Sequence, residues 1–298
     1  MSLYPVPEVV YARRWLTVPN ELRKSGTVPE WSLANYQGRP LDCFLEGPVF
    51  DGVGNLWLTD IPYGRLFSVS PDGEWHTAIE YDGWPNGLAV HKDGRIFIAD
   101  YKKGILVFDP IASQLDTLVD NYHSEHFRGC NDLIIDSGGG YLYFTDQGQS
   151  GMHRPNGRVY RYELANHQLQ LLVDTCPSPN GLMLKEDESM LYVAMTRGNC
   201  IWRVPLMADG TVSKVGVFIQ LSGGLAGPDG MERGPEDSIH VAHAGNGCVW
   251  SFDRLGVPVR RIMSQAGLHT TNVTFASSGD MVITESSSGS VLIWSPMR

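Results

Sequence analysis

The chain has 298 residues, 42% of them hydrophobic and 19% charged, with 33 glycines and 18 prolines, the make-up of an ordinary globular protein with many tight turns. Its 33 acidic against 23 basic residues give a net charge of -10, which excludes the basic surface that a nucleic-acid partner requires. No apolar run approaches the ~20 residues needed to cross a bilayer, and the start MSLYPVPEVVYARRW lacks the basic, apolar and small-residue succession of a signal peptide, so the expectation is a soluble, cytoplasmic protein with no membrane partner.

In chain order, Glu8–Trp15 (EVVYARRW) carries β-branched and aromatic residues at strand density. The polar, turn-rich ELRKSGTVPEWSLANYQGRP that follows has room for a short helix at most. From residue 46 onward one pattern recurs: a polar residue opens a short apolar run, then come a turn and a second β-type run. The copies are EGPVF at Glu46, PNGLAV at Asn86, CNDLII at Asn131, PNGLML at Asn180, GPDGM at Asp229 and TNVTF at Asn272, at steps of 40, 45, 49, 49 and 43 residues. A period of this length built from short strands is the signature of a β-propeller, whose repeats cannot bury their faces alone. The expected fold is therefore all-β, a six-bladed β-propeller with four strands per blade, in one domain over residues 1–298.

Blade one reads EGPVFD, NLWLTD, RLFSVSP and EWHTAIEY, and blades two to five repeat the scheme, whereas blade six offers only NVTFA, MVITES and SVLIWS. A three-stranded blade would leave an open edge. Residues 1–15 are expected to fill it, closing the ring by pairing Glu8–Trp15 with the C-terminal blade. Residues 16–42 must then run from rim to axis across the mouth, which predicts a lid over the pocket.

The six repeat openers start innermost strands, so their side chains meet at one mouth of the central channel. Glu46, Asn86, Asn131, Asn180, Asp229 and Asn272 share oxygen as donor, and calcium suits such a hard and irregular set better than magnesium does. The five cysteines are widely spaced without a CxxC pair, which points to free buried thiols and not to a thiolate zinc site. No GxSxG elbow or phosphate-binding glycine loop is present. The long Asp146–Arg158 stretch, with His153 in it, is a candidate pocket wall, and Asp60, Asp100 and Asp146, each ending a second strand, read as turn-holding residues.

With LEGPVFDGVGNLWLTDIPYGRLFSV, the SPNGL at Asn180 and the GPDGM at Asp229 in hand, the chain resembles, over about residues 42–298, the family of six-bladed propellers named for senescence marker protein, gluconolactonase and luciferin-regenerating enzyme. The resemblance implies one divalent metal, usually calcium, held by Glu46, Asn180 and Asp229, with Mg2+, Mn2+ or Zn2+ as substitutes. The related diisopropyl fluorophosphatase adds an asparagine that corresponds to Asn131. Sugar lactonases of the family present Arg-x-Asn-Asp, whereas here Arg128 stands one residue further from Asn131. That departure, with Phe127, Trp84 and Tyr63 close by, points to a substrate less polar than a sugar.

What this implies is a calcium-dependent lactonase acting on a small-molecule lactone, its metal polarising the carbonyl and Asp229 acting as general base for water or, alternatively, as nucleophile. Asn131, Arg128, Asn86, Asn272, His153, Phe127 and Trp84 are the expected substrate contacts, with His243 and His269 as reserve bases. A phosphotriesterase using the same metal, and a non-catalytic ligand-binding propeller, remain as alternatives.

Overall fold

The strand sequences differ by layer. Leu56–Asp60 (LWLTD) and Ile96–Asp100 (IFIAD) are buried at all five positions, whereas Gln114–Val119 is half exposed. A strand covered on both faces tolerates an unbroken apolar run, and an outer strand does not. The structure, a computed structural model, describes residues 6–296. It is an all-β, propeller-like fold in which, among the described residues, helix is limited to Glu30–Asn35 and short 3-10 turns.

Four sheets have four antiparallel strands each, taken in chain order. The first holds Leu45–Phe50, Leu56–Asp60, Arg65–Val69 and Trp75–Glu80; the second begins at Pro85–Val90, the third at Cys130–Ile135 and the fourth at Pro179–Leu184. The opening strands lie side by side in a closed circuit, which continues through Gly227–Arg233 and Thr270–Phe275 back to Leu45–Phe50. Apolar clusters fill the spaces between sheets, such as Trp57, Leu66 and Leu88 with Ile98 between the first and second, and Tyr143, Val159 and Leu182 with Val193 between the third and fourth.

The expected six separate sheets are not what the strand pairing gives. The last two repeats belong to one eight-stranded sheet, in the order Gly227–Arg233, Ile239–Ala244, Cys248–Phe252, Pro258–Ser264, Glu8–Thr17, Ser290–Trp294, Met281–Glu285, Thr270–Phe275. The N-terminal strand is the link. Its second half pairs antiparallel with the C-terminal repeat (Arg13 opposite Ile293, Thr17 opposite Ser290), as the missing fourth strand requires, while its first half pairs parallel with the preceding repeat (Glu8 opposite Arg260, Ala12 opposite Ser264). A register shift between Arg14 and Leu16 interrupts the antiparallel pairing, the kind of irregularity that bends a strand. The pairing covers residues 8–17; residues 1–5 of the expected closing segment lie outside the described residues.

The connection onward is pinned at several points. Arg23 pairs with Asp42 at 3.0 Å and donates to the Ser288 carbonyl, and the Tyr63 hydroxyl contacts Thr27 and the carbonyl of Leu41. Lys102 holds Glu30 at 3.0 Å, and Trp31 packs with Leu41, Phe44 and Ile61. The five cysteines are free and buried, as expected from their spacing.

Candidate active site

Each innermost strand is irregular where its polar residue stands. Pairing with the second strand is interrupted between Glu46 and Val49, Pro85 and Leu88, Cys130 and Leu133, Pro179 and Leu182, Pro228 and Met231, and Thr270 and Asn272. Bulges re-aim side chains, and here they bring residues of different sheets to one cavity. Glycine is what lets the strands close up. A Cβ on Gly181 would sit 2.4 Å from the Asp229 carbonyl oxygen, and one on Gly47 2.3 Å from that of Asn86. Threonines stitch the same seam: Thr59 Oγ1 donates to the Asn86 carbonyl and Thr145 Oγ1 to the Asn180 carbonyl, both at 2.9 Å.

Glu46, Asn86, Asn131, Asn180 and Asp229 line one cavity of about 740 Å3. Glu46 Oε2 accepts the Gly47 N–H at 2.7 Å and the Asn272 amide at 2.9 Å; burial nevertheless raises its carboxyl to about 6, against the lowering effect of those bonds. Asp229 is pushed well above the usual carboxylate range by removal from water, then by the charges of Glu46 and Asp132, while the Asn180 side chain and the Arg197 charge work the other way. Asp132 is raised by burial and by Glu46. Asn131 donates its amide to Gln147 Oε1 at 3.2 Å, turning its carbonyl end away from Gln147.

Crowded carboxylates of this kind cost free energy unless protons or a cation neutralise them. Among the described residues no three His, Cys, Asp or Glu side chains form a metal-ligating cluster, so a cation here would draw on Glu46 and Asp229 together with the amide oxygens of Asn131 and Asn180. An all-oxygen set of two carboxylates and two amides fits a hard divalent ion.

His153, expected to contact substrate, lines the cavity on the stretch after the third sheet's second strand, along with Gln147 and Gln149. Four other expected contacts do not line it. Asn272 is a strut: its Nδ2 is spent on Glu46 and its Oδ1 accepts the Val273 N–H at 2.8 Å. Phe127 is drawn into the core beside Phe144 and Tyr160. Arg128 is exposed and points to the Asn156 carbonyl. Trp84 packs against the Trp31 cluster with Lys102 over its ring. Of the reserve bases, His269 lines the cavity with its ring 5.8 Å from Tyr36, while His243 is fully buried, takes the Trp250 indole N–H at 3.2 Å, and is held down to about 4 by burial.

Asp100 and Asp146 accept backbone N–H groups, from Lys102 and Lys103 and from Arg128 and Gly129, and Asp60 takes that of Phe44. They hold loops, as their repetition suggested. Lining residues not named among the expected contacts include Trp31 and Tyr36, from the segment expected to cover the pocket, and Phe44, Ile61 and Arg197. Ile61 directly follows the second strand of the first sheet and Arg197 the first loop residue after that of the fourth, so the signal for both is a position just after a second strand.

The family model described as the SMP-30/Gluconolactonase/LRE-like region matches residues 44–287. Lactonase drp35 of Staphylococcus aureus (strain MRSA252) is 31% identical over 229 residues, 74% of this chain and 69% of that protein. Two solved structures share the fold: regucalcin from Agrobacterium tumefaciens strain C58, described as a calcium-binding protein, with a TM-score of 0.77 at 21% identity over 97% of this chain and 95% of that one, and a gluconolactonase from Xanthomonas campestris, 0.75 at 22% identity over 98% of each. The chain belongs to the SMP-30/gluconolactonase/LRE-like family.

Proposed function

We propose that this protein is a metal-dependent hydrolase that opens a lactone ring, with calcium as the cation. The observation that carries this reading is the cavity floor, where Glu46 and Asp229 stand with Asn131 and Asn180 in a chain whose relative is named a lactonase. We take the eight-stranded sheet as two blades sharing the N-terminal strand, which makes six blades around one channel in a single domain. Residues 16–42 act as the lid.

Glu46, Asn131, Asn180 and Asp229 would hold the cation, which when bound supplies a Lewis acid at the carbonyl oxygen. Asp229, which lines the cavity, accepts the proton from the attacking water at a carboxylate oxygen. Asn131 and Asn180 orient the ring. With the cation bound Asp229 would be ionised, and the Arg197 charge acts in the same direction against the upward push of burial and Glu46. Trp31 and Tyr36, which line the same cavity, keep bulk water out.

The test is a panel of sugar, aliphatic and aromatic lactones plus a phosphotriester, each assayed with calcium and with chelator. Calcium-dependent opening of at least one lactone class is expected. Turnover of the phosphotriester alone, or lactone turnover untouched by chelator, overturns the reading.

A further inference from the structure

The cavity has two unlike sides. Its floor is polar, but on the side of the first sheet it is walled by Trp31, Tyr36, Phe44 and Ile61. Trp31 and Phe44 rings lie 4.8 Å apart, Tyr36 meets Phe44 edge-on at 6.1 Å, and Ile61 packs with them in one apolar cluster. The rim repeats the theme. Met152, more than half exposed, lines the cavity, and Leu225 and Leu268, also more than half exposed, directly precede the lining residues Ala226 and His269. Single exposed apolar residues need no explanation, but exposed apolar residues at or next to the lining of one cavity are the kind that marks a binding surface.

Apart from the Tyr36 hydroxyl and the Trp31 indole N–H, this wall offers a polyhydroxylated ring no side-chain hydrogen-bonding group, and hydroxyls left unpaired against it are costly. The volume also exceeds what a bare five- or six-membered lactone occupies, lying within the ~300–1,000 Å3 that holds drug-sized ligands. We propose that the substrate is a lactone bearing an apolar chain, with the chain seated on the Trp31, Tyr36, Phe44 and Ile61 wall and the ring over the Glu46, Asn180 and Asp229 floor. The lactonase reading above underlies the ring's identity; the wall stands on its own contacts.

The experiment uses two ladders on the full chain with calcium: 5-alkyl-γ-lactones from methyl to heptyl for kcat/KM, and the non-hydrolysable 5-alkyl-γ-lactams for affinity, read by tryptophan fluorescence. Each added methylene that reaches the wall is expected to raise kcat/KM and lactam affinity by up to about fourfold. Trp31→Ala should flatten both ladders. Tyr36→Ala, which removes a partly exposed ring and leaves Trp31 in place, should flatten them in part and keeps the test decisive if the first variant misfolds. A lactam ladder without lactone turnover sustains the apolar site while removing the lactonase reading. Lactone turnover with a flat ladder, a preference for glucono-δ-lactone over the heptyl lactone, or no lactam binding overturns the proposal.

Discussion

Replacing Asn272 by alanine isolates the strut beneath Glu46. The side chain makes no cavity contact of its own, yet its Nδ2 gives Glu46 Oε2 one of the bonds that oppose the upward push of burial. A hydrogen bond to a charged group contributes about 1.5–3 kcal/mol. Its loss has two effects of one sign: the carboxylate loses its fixed orientation, and its carboxyl, already at about 6, moves higher, so that more of it is protonated at neutral pH when a cation arrives. Outer partners of metal ligands typically account for 10–100-fold in affinity, and the energy above corresponds to a similar range. Calorimetric titration of Asn272→Ala with calcium should therefore give a Kd raised by about 10–100-fold, with Glu46→Gln alongside. In the double variant the second change should add little, because both act through one carboxylate. A calcium Kd for Asn272→Ala within twofold of wild type would refute the reasoning, since either Asn272 does not orient Glu46 or Glu46 does not hold the ion.

Three further outcomes follow from the same geometry. Asp229→Asn should retain much of its calcium affinity but lose about 100- to 10,000-fold in kcat, the span of general-base contributions, without recovery in excess calcium, whereas Glu46→Gln should recover; equal rescue of both would make Asp229 a ligand only. Deleting residues 1–17 opens an unpaired edge on each neighbouring repeat, so the melting temperature should fall and the protein self-associate; an unchanged, monomeric product contradicts this. His240, hydrogen-bonded at 2.8 Å to Ser251, is held down to about 4 by burial and then by the Arg260 charge. The unfolded chain thus binds the extra proton first, and stability should fall as pH drops from about 6.5 to about 4, with a slope approaching 1.4 kcal/mol per pH unit; His240→Gln should lack that component, and identical acid slopes in the two proteins would count against it.

The repeat was legible because strand burial leaves a periodic trace: every opening strand lies where the spacing from Glu46 places it. Sequence reasoning also found that the N-terminal strand completes the last repeat. It missed the parallel pairing of Glu8–Ala12 with Arg260–Ser264, since parallel partners carry no turn between them and a charged contact there, Glu8 with Arg260, joins positions 252 residues apart. Among the openers, Asn131 and Asn272 are the same residue type in similar local sequence. Only their partners, Gln147 in one case and Glu46 in the other, make one a cavity residue and the other a strut. The aromatic wall was legible only in outline: residues 16–42 were expected to cross the mouth, but Trp31 and Tyr36 come from that connection and not from the repeat, so periodicity does not say which of its side chains line the cavity.

The strand that joins the two ends of the chain also sets an order of events during synthesis. Glu8–Thr17 leaves the ribosome long before Pro258–Ser264 and Ser290–Trp294 exist to receive it, and until they do it is an unpaired β-segment with Val9 and Tyr11 bare even in the finished protein. The four independent sheets can form as they emerge, but sealing the circle waits for Ser290–Trp294, a contact of very long sequence separation and hence of slow formation. Nascent chains therefore pass most of translation as an open arc whose two raw margins match each other, and so match the margins of a neighbouring nascent chain. Joining Pro296 to Val6 by a short linker and cutting in an exposed turn, such as that at Gly94, would make this pairing local, and the yield of soluble protein at high expression would measure how much the late closure costs.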